Sequence, residues 1–421
     1  MKKKSSTNEL RLSSNERLFL ENTSPFNPKK YSNLTPNGFK IYTFKSGFKK
    51  FHDDLLIIIF DEVIDSINIY SKTSTPSAPI LWDKKNNKGK VKALIVNAGN
   101  ANAHTGNKGI KIIDEYVKIL TKLINCKKSE VLVSSTGVIG ETFNPNIINK
   151  QILKLNNKKP VDLLTAAKSI MTTDTYPKTS IKNIVIDSHK IKIYGIAKGS
   201  GMIMPNMATM LVYIFIESKI QKSLMKKIIK NNLDDTFNSI SVDSDTSTSD
   251  TLFLFCTNHK KANFNIKKNF NLLNLALFNI MEDLALQVIK DGEGLSKLIK
   301  VNVSNAKTKS LAKNIGFSIV NSPLVKSAIS GEDANWGRII MAIGKTQEKI
   351  DQNKLKVFFG KNLVCKNGSI NKKINLSKIN KYMKKKLIEI NIILNNGLKK
   401  HTVYGNDLNY EYLRINRDYR S

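Results

Sequence analysis

Thr209 stands where a hydroxyl could serve as a nucleophile. It lies in Lys198-Gly-Ser-Gly-Met-Ile-Met-Pro-Asn-Met-Ala-Thr-Met-Leu211, at the midpoint of a 421-residue chain. The glycines and small residues before it allow backbone to approach backbone or ligand closely. From Thr209 to Ile216 the chain is apolar and rich in β-branched and aromatic residues, which reads as a buried strand. A hydroxyl at the mouth of such a strand, behind the small Ala208, can be held rigidly and left accessible. Taken alone, a glycine loop entering a core strand explains the stretch better.

Three other places have the residue types for chemistry. The strand Glu130-Val-Leu-Val-Ser134 feeds Ser135-Thr-Gly-Val-Ile-Gly140, a turn offering backbone N–H groups and a hydroxyl. An oxyanion hole needs such fixed donors about 3 Å from the developing charge, although a plain turn fits as well. Glu293 sits between glycines in Asp291-Gly-Glu-Gly294, just past an apolar helix spanning 272–290. The helix dipole disfavours an anion there, so the carboxylate wants another partner, such as a substrate ammonium; a solvated turn is the alternative. Met171-Thr-Thr-Asp-Thr-Tyr-Pro-Lys178 carries hydroxyls suited to polar substrate contacts or equally to a capped turn. Two further segments are set aside. Asn97-Ala-Gly-Asn-Ala-Asn-Ala-His-Thr-Gly106 fails the dinucleotide pattern, and its lone His104 reads as a packed or loop histidine rather than a base. Asp243 and Asp245 lack the glycine and terminal glutamate of a calcium loop.

The elements that must position these residues follow from the apolar pattern. Buried strands are expected at 54–60, 91–96, 130–134, 209–216 and 252–255, helices at 110–124, 161–171, 221–232 and 272–290, and a hairpin over 184–196. This mixture predicts an α/β fold of stacked sheets flanked by helices. The first 35 residues are basic, Ser/Asn-rich and aperiodic, and read as a disordered or loosely attached extension. The apolar runs 55–60 and 210–216 are too short to cross a bilayer, and no secretory segment follows the opening Met-Lys-Lys-Lys. Net charge is +34. Its lysines are scattered beside Asn and Ile rather than gathered in a stripe, so neither nucleic acid nor a membrane is expected as a partner. Three separated cysteines, Cys126, Cys256 and Cys365, point to a reduced compartment, the cytoplasm, without disulfides or a metal site.

From about Thr75 to Ser421 the motifs resemble those of the ornithine acetyltransferase family, glutamate N-acetyltransferases of arginine biosynthesis. The resemblance implies that the chain cuts itself between Ala208 and Thr209. A fragment 36–208, carrying the 1–35 extension, and a fragment 209–421 would remain interlocked, with two of each in the assembly. It implies Thr209 as acetyl-accepting nucleophile and Thr136 and Gly137 as the oxyanion hole. Thr172, Lys198, Thr209, Glu293, Asn416 and Ser421 would contact substrate. N-acetylornithine would be the donor and glutamate the acceptor; no cofactor is required, with acetyl-CoA as a further possible donor. The chain departs from the family at Ser244 for glycine, Ser249 for asparagine, Ala334 for proline, Arg417 for alanine and Ser421 for threonine.

The chemistry is coherent with these residues. No Ser-His-Asp set is visible among five histidines, but cleavage would free an α-amine. With an ordinary pKa of about 7.7–8.0 it can act as base for its own hydroxyl. The rival readings are a self-processing hydrolase of the L-aminopeptidase D-esterase type and a non-enzymatic basic binding protein.

Overall fold

The computed structural model describes residues 23–204, 210–257, 260 and 262–418. The strands are β1 (Phe39–Phe44), β2 (Leu55–Tyr70), β3 (Lys90–Asn100), β4 (Val131–Val138), β5 (Lys178–Ile186), β6 (His189–Lys198), β7 (Leu211–Ile216), β8 (Ile240–Ser241), β9 (Thr251–Cys256), β10 (Leu298–Ala306), β11 (Lys356–Phe359), β12 (Asn362–Lys366), β13 (Ser369–Ile370), β14 (Leu387–Ile393) and β15 (Lys399–Asn406). Among the described residues they form two sheets. One runs β4-β3-β2-β9-β7-β6-β5 with β1 added beside β2, the other β13-β12-β11-β14-β10-β15-β8.

The first sheet folds over on itself through β2. The first part of β2 pairs with β1 and β3, its last six residues pair with β9, and the register against β3 shifts between Ile59 and Ile64. Side chains of β1 and of the first part of β2 therefore face β7 and β9 across the fold. Phe39 of β1 stacks on Phe215 of β7 at 4.6 Å between ring centroids, and Phe60 meets Phe255 of β9 at 5.1 Å. Aromatic pairs at this separation add to the area they bury.

This layering explains the unbroken apolar runs. In β7, Leu211, Tyr213 and Phe215 enter the central aromatic layer, while Val212, Ile214 and Ile216 face outward to a second core. A strand covered on both faces shows no polar alternation. Helices Lys222–Asn232 and Lys267–Ile289 cover that outer face through Met225, Ile228, Leu277 and Leu284. On the opposite side helices Ala78–Asn86, Gly106–Ile124 and Asn146–Ile152 cover β3 and β4 through Trp82, Ile113, Val117 and Ile148. The expected stacked sheets flanked by helices are present. Helix Lys267–Ile289 is long and apolar enough to cross a bilayer, yet half of its apolar window lies inside the protein.

The second sheet packs its own core, with Val301, Ile388 and Ile390 against Ile315 and Ile319 of helix Lys309–Val320. Its edge strand β8 joins the two halves, since Ile240 pairs with Tyr404 and also sits in the outer core of the first sheet. The three cysteines are free.

Two expectations shift. Residues 1–22 of the expected extension lie outside the described residues, but the chain is fastened from Ser24 onward. The Ser24 hydroxyl donates to the Lys290 carbonyl at 2.5 Å, Leu163 N–H donates to the Leu34 carbonyl, and the Thr179 hydroxyl donates to the Ser32 carbonyl. Backbone and hydroxyl bonds do this work, and they leave no apolar period to read. The helix expected from 161 runs Leu163–Ser169, capped by Asp162 accepting from Thr165 N–H at 2.8 Å. An aspartate N-cap fixes the start more firmly than the upstream Pro160.

Candidate active site

The fold-over brings together residues far apart in sequence. Lys198 ends β6 and pairs with Leu211 of β7, which pairs in parallel with Thr251 of β9. Thr136 lies two residues before the end of β4 on the facing layer, and the Lys198 ammonium donates to its hydroxyl at 3.1 Å. Burial pulls the Lys198 pKa down, against the pull of Asp174.

Gly137 is obligatory at this corner. Its φ is +127°, and a Cβ there would collide with the backbone of Gly99 and Asn100 on β3. The Asn-rich loop after β3 is held by its own amides. Asn97 donates to the Asn100 carbonyl at 2.8 Å and accepts from the Ser135 hydroxyl at 2.6 Å, and Asn100 accepts from Asn102 N–H at 2.8 Å. The loop thus braces Ser135-Thr-Gly137, while His104 is exposed at φ +56°.

Glu293 closes the other side. Its N–H donates to the Ser200 carbonyl at 2.9 Å, and its Oε2 accepts from Asn416 Nδ2 at 2.9 Å. The carboxylate lies where a Cβ on Gly201 would be. It is buried rather than solvated, and burial raises its pKa despite the Thr173 and Asn416 bonds. Asn416 reaches it from helix Tyr410–Asp418, so two residues singled out separately in the sequence touch each other. Thr172 lies half-buried in the same neighbourhood, its N–H donating to Asp174 Oδ2 at 2.9 Å. Ala208, Thr209 and Ser421 lie outside the described residues. The other six site residues named from the sequence all belong to this neighbourhood.

Beneath them is a charge cluster that the sequence reading did not single out. Lys178 is wholly buried between Asp174 and Asp291, with N–O distances of 2.6 Å to each. Burial opposes the Lys178 charge, but the two carboxylates raise its pKa overall. Asp174 is held low, with Lys178 and Lys198 outweighing its burial, whereas burial pushes Asp291 up to about 6. Nothing in the sequence marks Lys178 among so many lysines.

Asp243 serves the backbone. It accepts from Met202 N–H at 2.6 Å and Ile203 N–H at 2.8 Å, fixing Met202 at φ +55°. Ser244, at the usual glycine, takes φ +67°, a conformation that disfavours side chains. A second acidic group, Asp234, Asp235 and His401, lies elsewhere, and Lys309 and Lys313 already bond its carboxylates. A concavity of about 700 Å³ also lies apart from the site, between β2 and helix Lys222–Asn232, and is lined by lysines including Lys84, Lys88 and Lys226.

Fold and site together define a layered α/β protein with a glycine-dependent strand corner beside a buried lysine and a buried glutamate. The ArgJ family profile matches residues 40–421. The arginine biosynthesis bifunctional protein ArgJ of Brucella suis is 39% identical over 408 residues, covering 94% of this chain and 99% of that protein. Its counterpart in Mesorhizobium japonicum is 40% identical over 408 residues, with the same coverage. A solved structure of arginine biosynthesis bifunctional protein argJ from Bacillus halodurans is 32% identical, covering 50% of this chain and 98% of that one at a TM-score of 0.46. The chain belongs to the ArgJ family.

Proposed function

We propose that this chain moves an acetyl group from N-acetylornithine to glutamate in arginine biosynthesis, through an acetyl ester on Thr209. The observation that carries the reading is the meeting of Lys198 with Thr136 of β4, beside buried Glu293. Thr209 Oγ first attacks the Ala208 carbonyl, its acyl group shifts from nitrogen to oxygen, and water hydrolyses the ester. Fragments 1–208 and 209–421 result, and the new α-amine takes the hydroxyl proton in the next step. Thr209 Oγ then attacks the acetyl carbon of N-acetylornithine, the amide C–N bond breaks, and ornithine leaves with the proton. The amine of glutamate attacks the ester in turn and restores the hydroxyl.

In this scheme Thr136 and Gly137 donate to the oxyanion of each tetrahedral intermediate. Lys198 meets a substrate carboxylate and Glu293 its ammonium, with Thr172, Asn416 and Ser421 completing the pocket. Two copies of each fragment form the assembly, and acetyl-CoA is a second acetyl source. The test pairs a denaturing gel with an assay for N-acetylglutamate. Two fragments and transfer from N-acetylornithine are expected. An active enzyme that runs as one intact band would falsify the cleavage, and hydrolysis without transfer would favour a hydrolase. Acetyl-CoA as sole donor tests the second source.

A further inference from the structure

Lys178 opens β5, and its ammonium has three acceptors: Asp174 Oδ1 and Asp291 Oδ2 at 2.6 Å and the Tyr176 carbonyl at 3.2 Å. Each carboxylate then reaches backbone that carries the site. Asp174 accepts from Gly199 N–H at 2.7 Å and Thr172 N–H at 2.9 Å, while Asp291 accepts from Thr175 N–H at 2.9 Å and from the Thr175 hydroxyl. Residues 172–175, 199–200 and 291–293 lie in neither helix nor strand, so no regular ladder fixes their separation. Buried ion clusters of this kind are often no more stable than well-packed apolar replacements. Stability is therefore a poor account of this one, and control of geometry is a better one.

We propose that Lys178 is a positioning residue that sets the length of amino acid the site accepts. By holding Asp174 and Asp291 together, it fixes the separation of Lys198, which meets the substrate carboxylate, and Glu293, which meets the ammonium. This rests on the roles given to those two residues above.

The test uses full-length Asp291→Asn and Lys178→Arg, with N-acetylornithine and N-acetyllysine, one methylene longer, as donors to glutamate. Asp291→Asn keeps the shape of the cluster and removes one charge. Its KM for N-acetylornithine is expected to rise roughly 10- to 100-fold, with kcat changed far less, because small misplacements of bound groups are costly. Its preference for N-acetylornithine over N-acetyllysine should narrow. Lys178→Arg keeps the charge on a longer arm and should narrow the preference too, and it decides alone if the asparagine variant does not fold. A purely structural cluster would lower the melting temperature but leave KM and preference unchanged, which overturns the proposal. A wild-type enzyme without transfer from N-acetylornithine overturns the reading of the site, and this proposal with it.

Discussion

At Glu293 a carboxylate is buried against Gly201 and bonded by Asn416, and burial raises its pKa. Only the ionised form attracts an ammonium, so kcat/KM should fall as pH drops through that raised value. Glu293→Gln keeps the shape and should flatten this limb. It should cost about 1.5–3 kcal/mol, or roughly 10- to 100-fold in kcat/KM for N-acetylornithine. The loss should shrink for an analogue without the free amine; equal kinetics for both enzymes would remove Glu293 from the site. Gly201→Ala provides a steric counterpart. Gly201 has no positive φ, so backbone strain is absent and the new methyl meets the Glu293 carboxylate first. It should reduce transfer while costing about 1–3 kcal/mol of stability.

Among the elements, helix Tyr410–Asp418 has no residue buried among those described. Asn409 Nδ2 donates to the Gly294 carbonyl at 2.6 Å, and Asn416 touches Glu293. Ending the chain at Ile415 should therefore leave fold and fragment formation intact while crippling transfer, as a gel and kcat/KM will show. Wild-type kcat/KM would remove Asn416 and Ser421 from the site. Legibility in the sequence divides along the same lines. The runs at 55–60 and 209–216 are readable as strands because β2 and β7 (Leu211–Ile216) are covered on both faces, and the glycines flanking Glu293 mark its turn. The Lys178 cluster was invisible because Asp291 lies 113 residues away and pairs only through the fold. Lys198 and Thr136 meet only because β2 bends, and no periodicity announces a bend of that kind.

For the whole molecule, buried Asp83 supplies a pH test remote from the site. It accepts from Val133 N–H at 3.0 Å and the Tyr70 hydroxyl at 3.3 Å, yet burial raises its pKa well above the usual range. A raised carboxylate contributes stability that is complete below its unfolded value of about 3.9 and is lost as pH rises through the folded value. Asp83→Asn should remove this loss, so its melting temperature should decline less with rising pH than that of the wild type. Identical pH profiles would show that Asp83 does not titrate in this way.

The antiparallel pairing of β6 with β7 places Ala208 and Thr209 in the connection between two neighbouring strands. A cut there severs the covalent link while the six paired positions from Ile193↔Ile216 to Lys198↔Leu211 keep the ends side by side. An uncut chain closes this pairing as a short loop within one molecule. Once cut, the unfolded pieces diffuse apart, and bringing them together becomes a second-order encounter. The mature molecule should thus be one whose melting point rises with its own concentration and whose refolding slows on dilution, whereas an uncleavable Thr209→Ala chain should show both effects more weakly, since only the joining of whole chains then depends on concentration.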